Sequence, residues 1–321
     1  MLRQCDCVAH NLIGRYAAQE LVIEVCQVKP KKQHWVPRFY LKSFTIDGKG
    51  DLAWCFPKKS GDAFKSNIRD IASTKYLYSP ENSDGDRSWD TEDKLAGIES
   101  TLSKAWNQIA HDFIDLNNDT YRKALSLFMA TLVYRNPSML PVYKKIRTEL
   151  QESIYSLGFD CNGLPNVTHY VDNNGKVIEI DRSDWNEFND VSDINNHHFF
   201  VDTILKETGF LARLLMRKRW SVIVSDNPVF VTSDTPVTKF NQHCETFGYE
   251  TKGTVINFPL SPTRCLVLDD LHHEKDGCYY SLNHRGAANS LTWTQCNKYI
   301  ITGRDPDKVL EEILQLHNGP A

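Results

Sequence analysis

No stretch of the chain is apolar for anything near the roughly 20 residues that a membrane helix needs, and the first residues lack the apolar centre of a secretion signal. The sequence therefore reads as that of a soluble, cytoplasmic protein with no membrane partner. Its nine cysteines fall without a repeated spacing, which argues against a disulfide framework or a zinc ribbon and fits reduced thiols. Only Cys5, Cys7 and His10 lie close together, and they fall short of a four-ligand zinc pattern. G-x-x-x-x-G-K, G-x-G-x-x-G, H-E-x-x-H and G-x-S-x-G are all missing. That argues against the standard P-loop, dinucleotide-binding, zincin and α/β-hydrolase sites. An excess of one charge is missing too: 37 Lys and Arg against 41 Asp and Glu leave a net charge of -4. Attraction for nucleic acid then has to come from local basic patches, for which Lys29 to Lys32 and Arg213 to Arg219 are the candidates.

What the sequence does hold is a dense opening stretch, Gln33 to Phe44 (QHWVPRFYLKSF), directly after a basic KPKK run. Pro37 suits the first position of a helix, because its missing N–H costs nothing there. His34 to Val36 are then extended, and Arg38 to Phe44 form a short helix. An Asp-Gly turn leads into a strand at Leu52 to Phe56, with another apolar piece at Tyr76 to Tyr78. From Trp89 the period lengthens to about 3.6, and Leu95, Ile98, Leu102, Trp106, Ile109 and Phe113 mark a helix over Asp90 to Leu116. A second helix, capped by Asp119, spans Tyr121 to Asn136 and stops at Pro137. A third opens at Pro141, carries Val142, Ile146, Leu150, Ile154 and Leu157 on one stripe, and ends at Gly158. Short connections make these three a bundle.

A β-arm follows at about 167–182, around an Asn-Asn-Gly turn, and then a long helix over Asp193 to Arg219. Beyond it the character is β: short runs at Trp220 to Val224, Val229 to Thr232, Thr254 to Phe258, Cys265 to Leu268, Cys278 to Leu282 and Tyr299 to Thr302. Helices at Arg285 to Cys296 and Asp305 to His317 complete the chain. Helices segregated from strands specify an α+β fold, with the bundle of about 89–158 packed against a mixed or antiparallel sheet of about 220–303. Residues 1–30 read as an N-terminal extension, with an edge strand at Glu20 to Val28, and 31–321 as a single domain.

The second informative place is VFVTSDTPV, where an apolar strand delivers Ser233 and Asp234 to a sheet rim and Pro236 prevents continuation. An Asx turn made with its own backbone is an equally good account of Asp234. With QHWVPRFYLKSF, Tyr76 to Ser79, Ile98 and Glu99, Tyr134 to Pro137, FVTSDTPV, FPLSP and the Asn289 helix in this order, the chain resembles the bacterial domain-of-unknown-function 4238 family over about Lys31 to Gly303. That resemblance supplies positions and no chemistry.

His34, Glu99, Arg135 and Asp234 all fall where burial is expected, and an unpaired buried charge costs several kcal/mol. They are therefore expected to meet, with Glu99 and Asp234 facing His34, Arg38 and Arg135 across a cleft between bundle and sheet. Such a cluster suits a nuclease-like hydrolase of phosphodiesters. His34, Glu99 and Asp234 act as catalytic groups or as ligands to a divalent ion, Mg or Mn, while Arg38, Tyr40 and Arg135 bind the substrate. The alternative is a non-catalytic nucleic-acid or ligand-binding protein whose polar cluster is a structural ion-pair network. His197 and His198 are adjacent, so on a helix they point about 100° apart, one toward the core and one toward solvent.

Overall fold

In a computed structural model of the chain, residues 29–48, 50–59, 62–171, 175–179, 181–183, 185–282 and 287–317 are described. The chain divides into two units, Met1–Lys31 and Lys32–Ala321, and every element named here belongs to the second. The expected edge strand at Glu20 to Val28, the Cys5, Cys7 and His10 group and the tip of the β-arm lie outside the described residues.

The opening stretch forms β1 (Lys32–His34) and, with Pro37 as N-cap, α1 (Arg38–Leu41), continued by a 3-10 turn at Lys42–Phe44. Then come β2 (Leu52–Pro57), β3 (Phe64–Asn67) and β4 (Ser73–Lys75), of which β4 pairs antiparallel with β1. The helical part holds α2 (Asp90–His111), α3 (Asp119–Tyr134) and α4 (Met139–Leu157). The cap of α3 is Asn118 rather than Asp119, its side chain accepting from Thr120 N–H. Gly158 ends α4 at φ +77°, a conformation that glycine adopts without steric cost. The arm β5 (His169–Val171) and β6 (Val177–Glu179) precedes α5 (Trp185–Asn189) and α6 (Asp193–Arg217). The C-terminal part comprises β7 (Arg219–Val224), β8 (Thr232–Ser233), β9 (Thr238–Phe240), β10 (Val255–Ser261), β11 (Arg264–Asp269), β12 (Cys278–Ser281), α7 (Ala287–Gln295), β13 (Tyr299–Thr302) and α8 (Pro306–His317).

The expected single sheet is two. One has the order β12-β7-β11-β10-β9, antiparallel except for the parallel pair β12 and β7; the other, order β3-β2-β13-β8, is antiparallel throughout. The strand expected at Val229 to Thr232 shrinks to Thr232–Ser233 because the residues before it bond elsewhere. Asn289 accepts from Val231 N–H and donates to Val229 C=O, so a side chain replaces a neighbouring strand. The α+β class holds, and among the described residues no helix is long and apolar enough to cross a membrane.

The bundle also differs from expectation. Helix α6 packs against both α3 and α4. Helix α4 buries Tyr143, Arg147 and Gln151, while the stripe expected to face the bundle, Val142, Ile146, Leu150 and Leu157, is exposed. Helix α2 stops at His111, which leaves Phe113 outside it, its ring against Tyr279 and under the Arg264 guanidinium. The main core gathers Trp35, Val36, Tyr40, Leu41 and Phe44 of the opening stretch between helices and sheet; a smaller cluster of Val231, Cys296, Ile300, Val309 and Ile313 packs α8.

Candidate functional site

Trp35 is where the expected site residues come closest to one another. Its N–H donates to Ala72 C=O, its carbonyl accepts from Arg135 Nε at 2.8 Å, and its indole Nε1 donates to Asp234 C=O at 3.0 Å. Strand alternation at β1 turns Gln33 inward and leaves His34 half-exposed. Gln33 in turn holds the segment after β4, accepting from Tyr78 N–H and donating to Ser79 Oγ. Arg135, at the C-cap of α3, is 1% exposed and pairs with Glu99 of α2 at 2.7 Å. Tyr78 Oη donates to the Arg135 carbonyl, so helix end and loop are locked together. One guanidinium nitrogen, Nη2, is buried without a hydrogen-bond partner among the described residues.

Asp234 is at the junction, and its carboxylate is bound by backbone N–H groups. Oδ1 accepts from Asn297 N–H at 2.9 Å and Oδ2 from Lys298 N–H at 3.0 Å, holding the entry to β13. The turn chemistry belongs to Ser233, whose Oγ accepts from Thr235 N–H and donates to Thr235 C=O. Burial raises the Asp234 carboxyl above the ordinary carboxylate range, and those backbone donors pull it partly back. His34, Glu99 and Asp234 do not come together as a metal-holding group, and none occurs among the described residues. Where a shared cleft was expected, the bonds form a network: Glu99 Oε1 pairs with Arg135, and the Asp234 carboxylate binds the backbone of Asn297 and Lys298.

Tyr40, expected to touch substrate, is fully buried. Its ring stacks on Phe258 at 5.3 Å, and its hydroxyl contacts Thr232 Oγ1 at 2.6 Å and Pro259 C=O at 2.9 Å. Arg38 is exposed on the first turn of α1. The basic run ending at Arg219 is also partly consumed. Lys218 pairs with Asp270, and Arg219 makes a two-pronged pair with Asp269, so both cations are drawn inward and neutralised. His197 and His198 are both half-buried, donating from Nε2 to Leu77 C=O and Glu81 C=O.

His34 retains chemistry of its own. Its Nε2 lies 3.0 Å from Arg69 C=O, and a carbonyl only accepts, so Nε2 carries the proton and Nδ1 keeps the lone pair. Burial pushes the imidazole down to about 4; the Arg69 bond opposes this, and the charges of Arg38, Lys32 and Arg135 add to it. The ring is therefore a neutral base at pH 7 in a positive field.

Residues 32–306 match the profile of the family described as protein of unknown function, DUF4238. The chain belongs to the DUF4238 family. No curated protein and no solved structure matches it. Within this DUF4238 chain the side chains that sequence reasoning missed are Asn136, Thr235 and Asn297. Asn136 Nδ2 donates to Asp234 C=O, Asn136 Oδ1 accepts from Asn297 Nδ2, and Asn297 Nδ2 also donates to Thr235 Oγ1. Asn136 stands inside the Tyr134 to Pro137 segment, so its position was visible, but an asparagine before proline reads first as a turn residue. A separate cleft of about 620 Å³ opens between α4 and α6, lined by Tyr143, Arg147, Phe188, Phe199 and Glu207 among others.

Proposed function

We propose that this protein is a hydrolase of phosphodiesters in which His34 is the general base and Arg38 the anion contact, with no metal ion required for the step. The observation that carries this reading is the His34 ring itself. Its Nε2 proton is held by Arg69 C=O, which leaves the Nδ1 lone pair as the proton acceptor; burial and the charges of Arg38, Lys32 and Arg135 keep the ring unprotonated while weakening it as a base. In the step, Nδ1 takes a proton from an attacking water as the water oxygen bonds to phosphorus; the bond to the leaving oxygen breaks, and that oxygen is protonated from solvent. Arg38 neutralises the non-bridging oxygens. Arg135 acts through its charge and as the fixed support of the Trp35 backbone. In this reading Glu99 and Asp234 support the site, Glu99 Oε1 pairing with Arg135 and the Asp234 carboxylate holding the β13 entry.

The test is turnover of bis(p-nitrophenyl) phosphate and of a single-stranded oligonucleotide, with EDTA present throughout. His34→Ala is expected to lower kcat/KM by about 100-fold or more while the melting temperature stays within a few degrees. Full activity in His34→Ala, or no turnover by the wild-type chain, overturns the proposal; activity that EDTA removes and Mn²⁺ restores replaces it with the metal-assisted form. A second reading, binding without turnover, is favoured by the internal commitment of Glu99 and Asp234. It predicts oligonucleotide affinity that depends on Arg38 and no product.

A further inference from the structure

Helix α4 presents an apolar face that nothing among the described residues covers. Val142 and Ile146 are each 44% exposed, Leu150 48% and Leu157 59%, at the spacing that makes one helix stripe. Buried groups explain why that face turned outward. Arg147 donates to Phe188 C=O and to Asn196 Oδ1, and Gln151 donates to Phe188 C=O, so polar bonds to α5 and α6 set the rotation of α4. The apolar stripe is left on the outside beside them. Of the 17 large apolar side chains exposed among the described residues, four, Val142, Ile146, Leu150 and Leu157, belong to this one stripe.

Charge says what fits there. The exposed charges of α4 are Lys144 and Lys145 in its first half and Glu149 and Glu152 in its second. A parallel copy would set like charges opposite each other. An antiparallel copy sets the basic half of one helix on the acidic half of the other, which is the self-complementarity a two-fold axis requires. With the axis near Thr148, Ile146 meets the partner's Leu150, Val142 meets the partner's Ile154, and Lys145 meets the partner's Glu152. Lys145 also reaches Glu149 in its own helix, at 3.7 Å and exposed. We infer that a second copy of this chain occupies the face, forming a homodimer through antiparallel α4 helices. One helix face about 28 Å long buries less than a standard interface, so the dimer is reversible, with a Kd of about 1 to 50 µM.

Sedimentation velocity of the full chain from about 1 to 200 µM reads this directly. A concentration-dependent dimer is expected, abolished by Leu150→Glu and weakened about 10-fold by Lys145→Glu. Adding Glu152→Lys to Lys145→Glu is expected to restore the dimer. The repulsion that Lys145→Glu sets up against Glu149 inside one helix is the same in the single and the double variant, so recovery reports the contact between copies. Circular dichroism of each variant establishes that it folds, and the double variant keeps the test open should Leu150→Glu not fold. A wild-type chain that stays monomeric across the range overturns the inference, as does a dimer unchanged by Lys145→Glu or not restored by the double variant.

Discussion

Asp234 holds two backbone N–H groups from another part of the chain with one carboxylate, and Asn offers a single acceptor oxygen in the same space. Asp234→Asn therefore leaves the N–H of Asn297 or Lys298 facing an amide N–H₂, a buried mismatch that costs about 1 to 3 kcal/mol. The expected result is a lower urea midpoint with an unchanged slope. Glu99→Gln acts on the other side of Trp35 by removing the carboxylate that pairs with the buried Arg135 guanidinium. Glu99 is partly exposed, so water softens the loss, and about 1 to 2 kcal/mol is expected in the same measurement. His34 adds a pH dependence of defined sign. Its folded-state value of about 4 lies below the ordinary 6.5, so between these values the unfolded chain binds a proton that the folded chain refuses. Stability is retained above about pH 6.5 and falls as pH drops toward 4, by about 1 to 2 kcal/mol for this partly exposed ring. His34→Gln lacks that slope, and melting curves of both proteins from pH 4 to 7 compare them.

At the scale of elements, the contact between the opening stretch and β13 leaves no room for a side chain. A Cβ on Gly303, one residue after β13, would lie 2.2 Å from Thr45 C=O and 2.7 Å from its carbonyl carbon. Backbone cannot swing aside as a side chain can, so Gly303→Ala is expected to destabilise the fold by about 2 to 4 kcal/mol in urea unfolding. Helix α2 was legible in the sequence because its period is carried by residues that are in fact buried, Leu95, Leu102, Trp106 and Ile109. Helix α4 was legible in extent and wrong in orientation: its apolar stripe is regular, but two buried polar residues, Arg147 and Gln151, decided which face turned inward. No periodicity argument sees a partner such as Phe188 C=O. The same limit applies at the candidate site. That His34, Glu99, Arg135 and Asp234 would each need a partner was argued from the cost of burying charge; which atom each would bond was not legible, because Asp234 found its donors in the backbone of Asn297 and Lys298.

Across the whole molecule, one hydroxyl ties the two larger sheets together. Tyr40 Oη contacts Thr232 in β8 and Pro259 in β10, while Trp35, in the same short stretch, binds Arg135 of the helices and Asp234 of the loop after β8. Sheets and helices that share this buried segment, and that also meet at Ser261 with Ala110 and at Arg264 with Asp112, should unfold together, and three thiols report on that. Cys55 lies in β2 of one sheet, Cys265 in β11 of the other, and Cys296 in the small cluster beneath α8. Burial pushes all three up to about 12, so at pH 8 they hold almost no thiolate and are closed to reagent, whereas Cys161 is exposed. Brief N-ethylmaleimide labelling along a urea gradient, mapped by peptide mass, is expected to show Cys161 modified without urea and the three buried thiols appearing at one common midpoint. Earlier release of Cys296 would mean that the α8 cluster opens as a separate unit, and that the link through Tyr40 and Trp35 stops short of it.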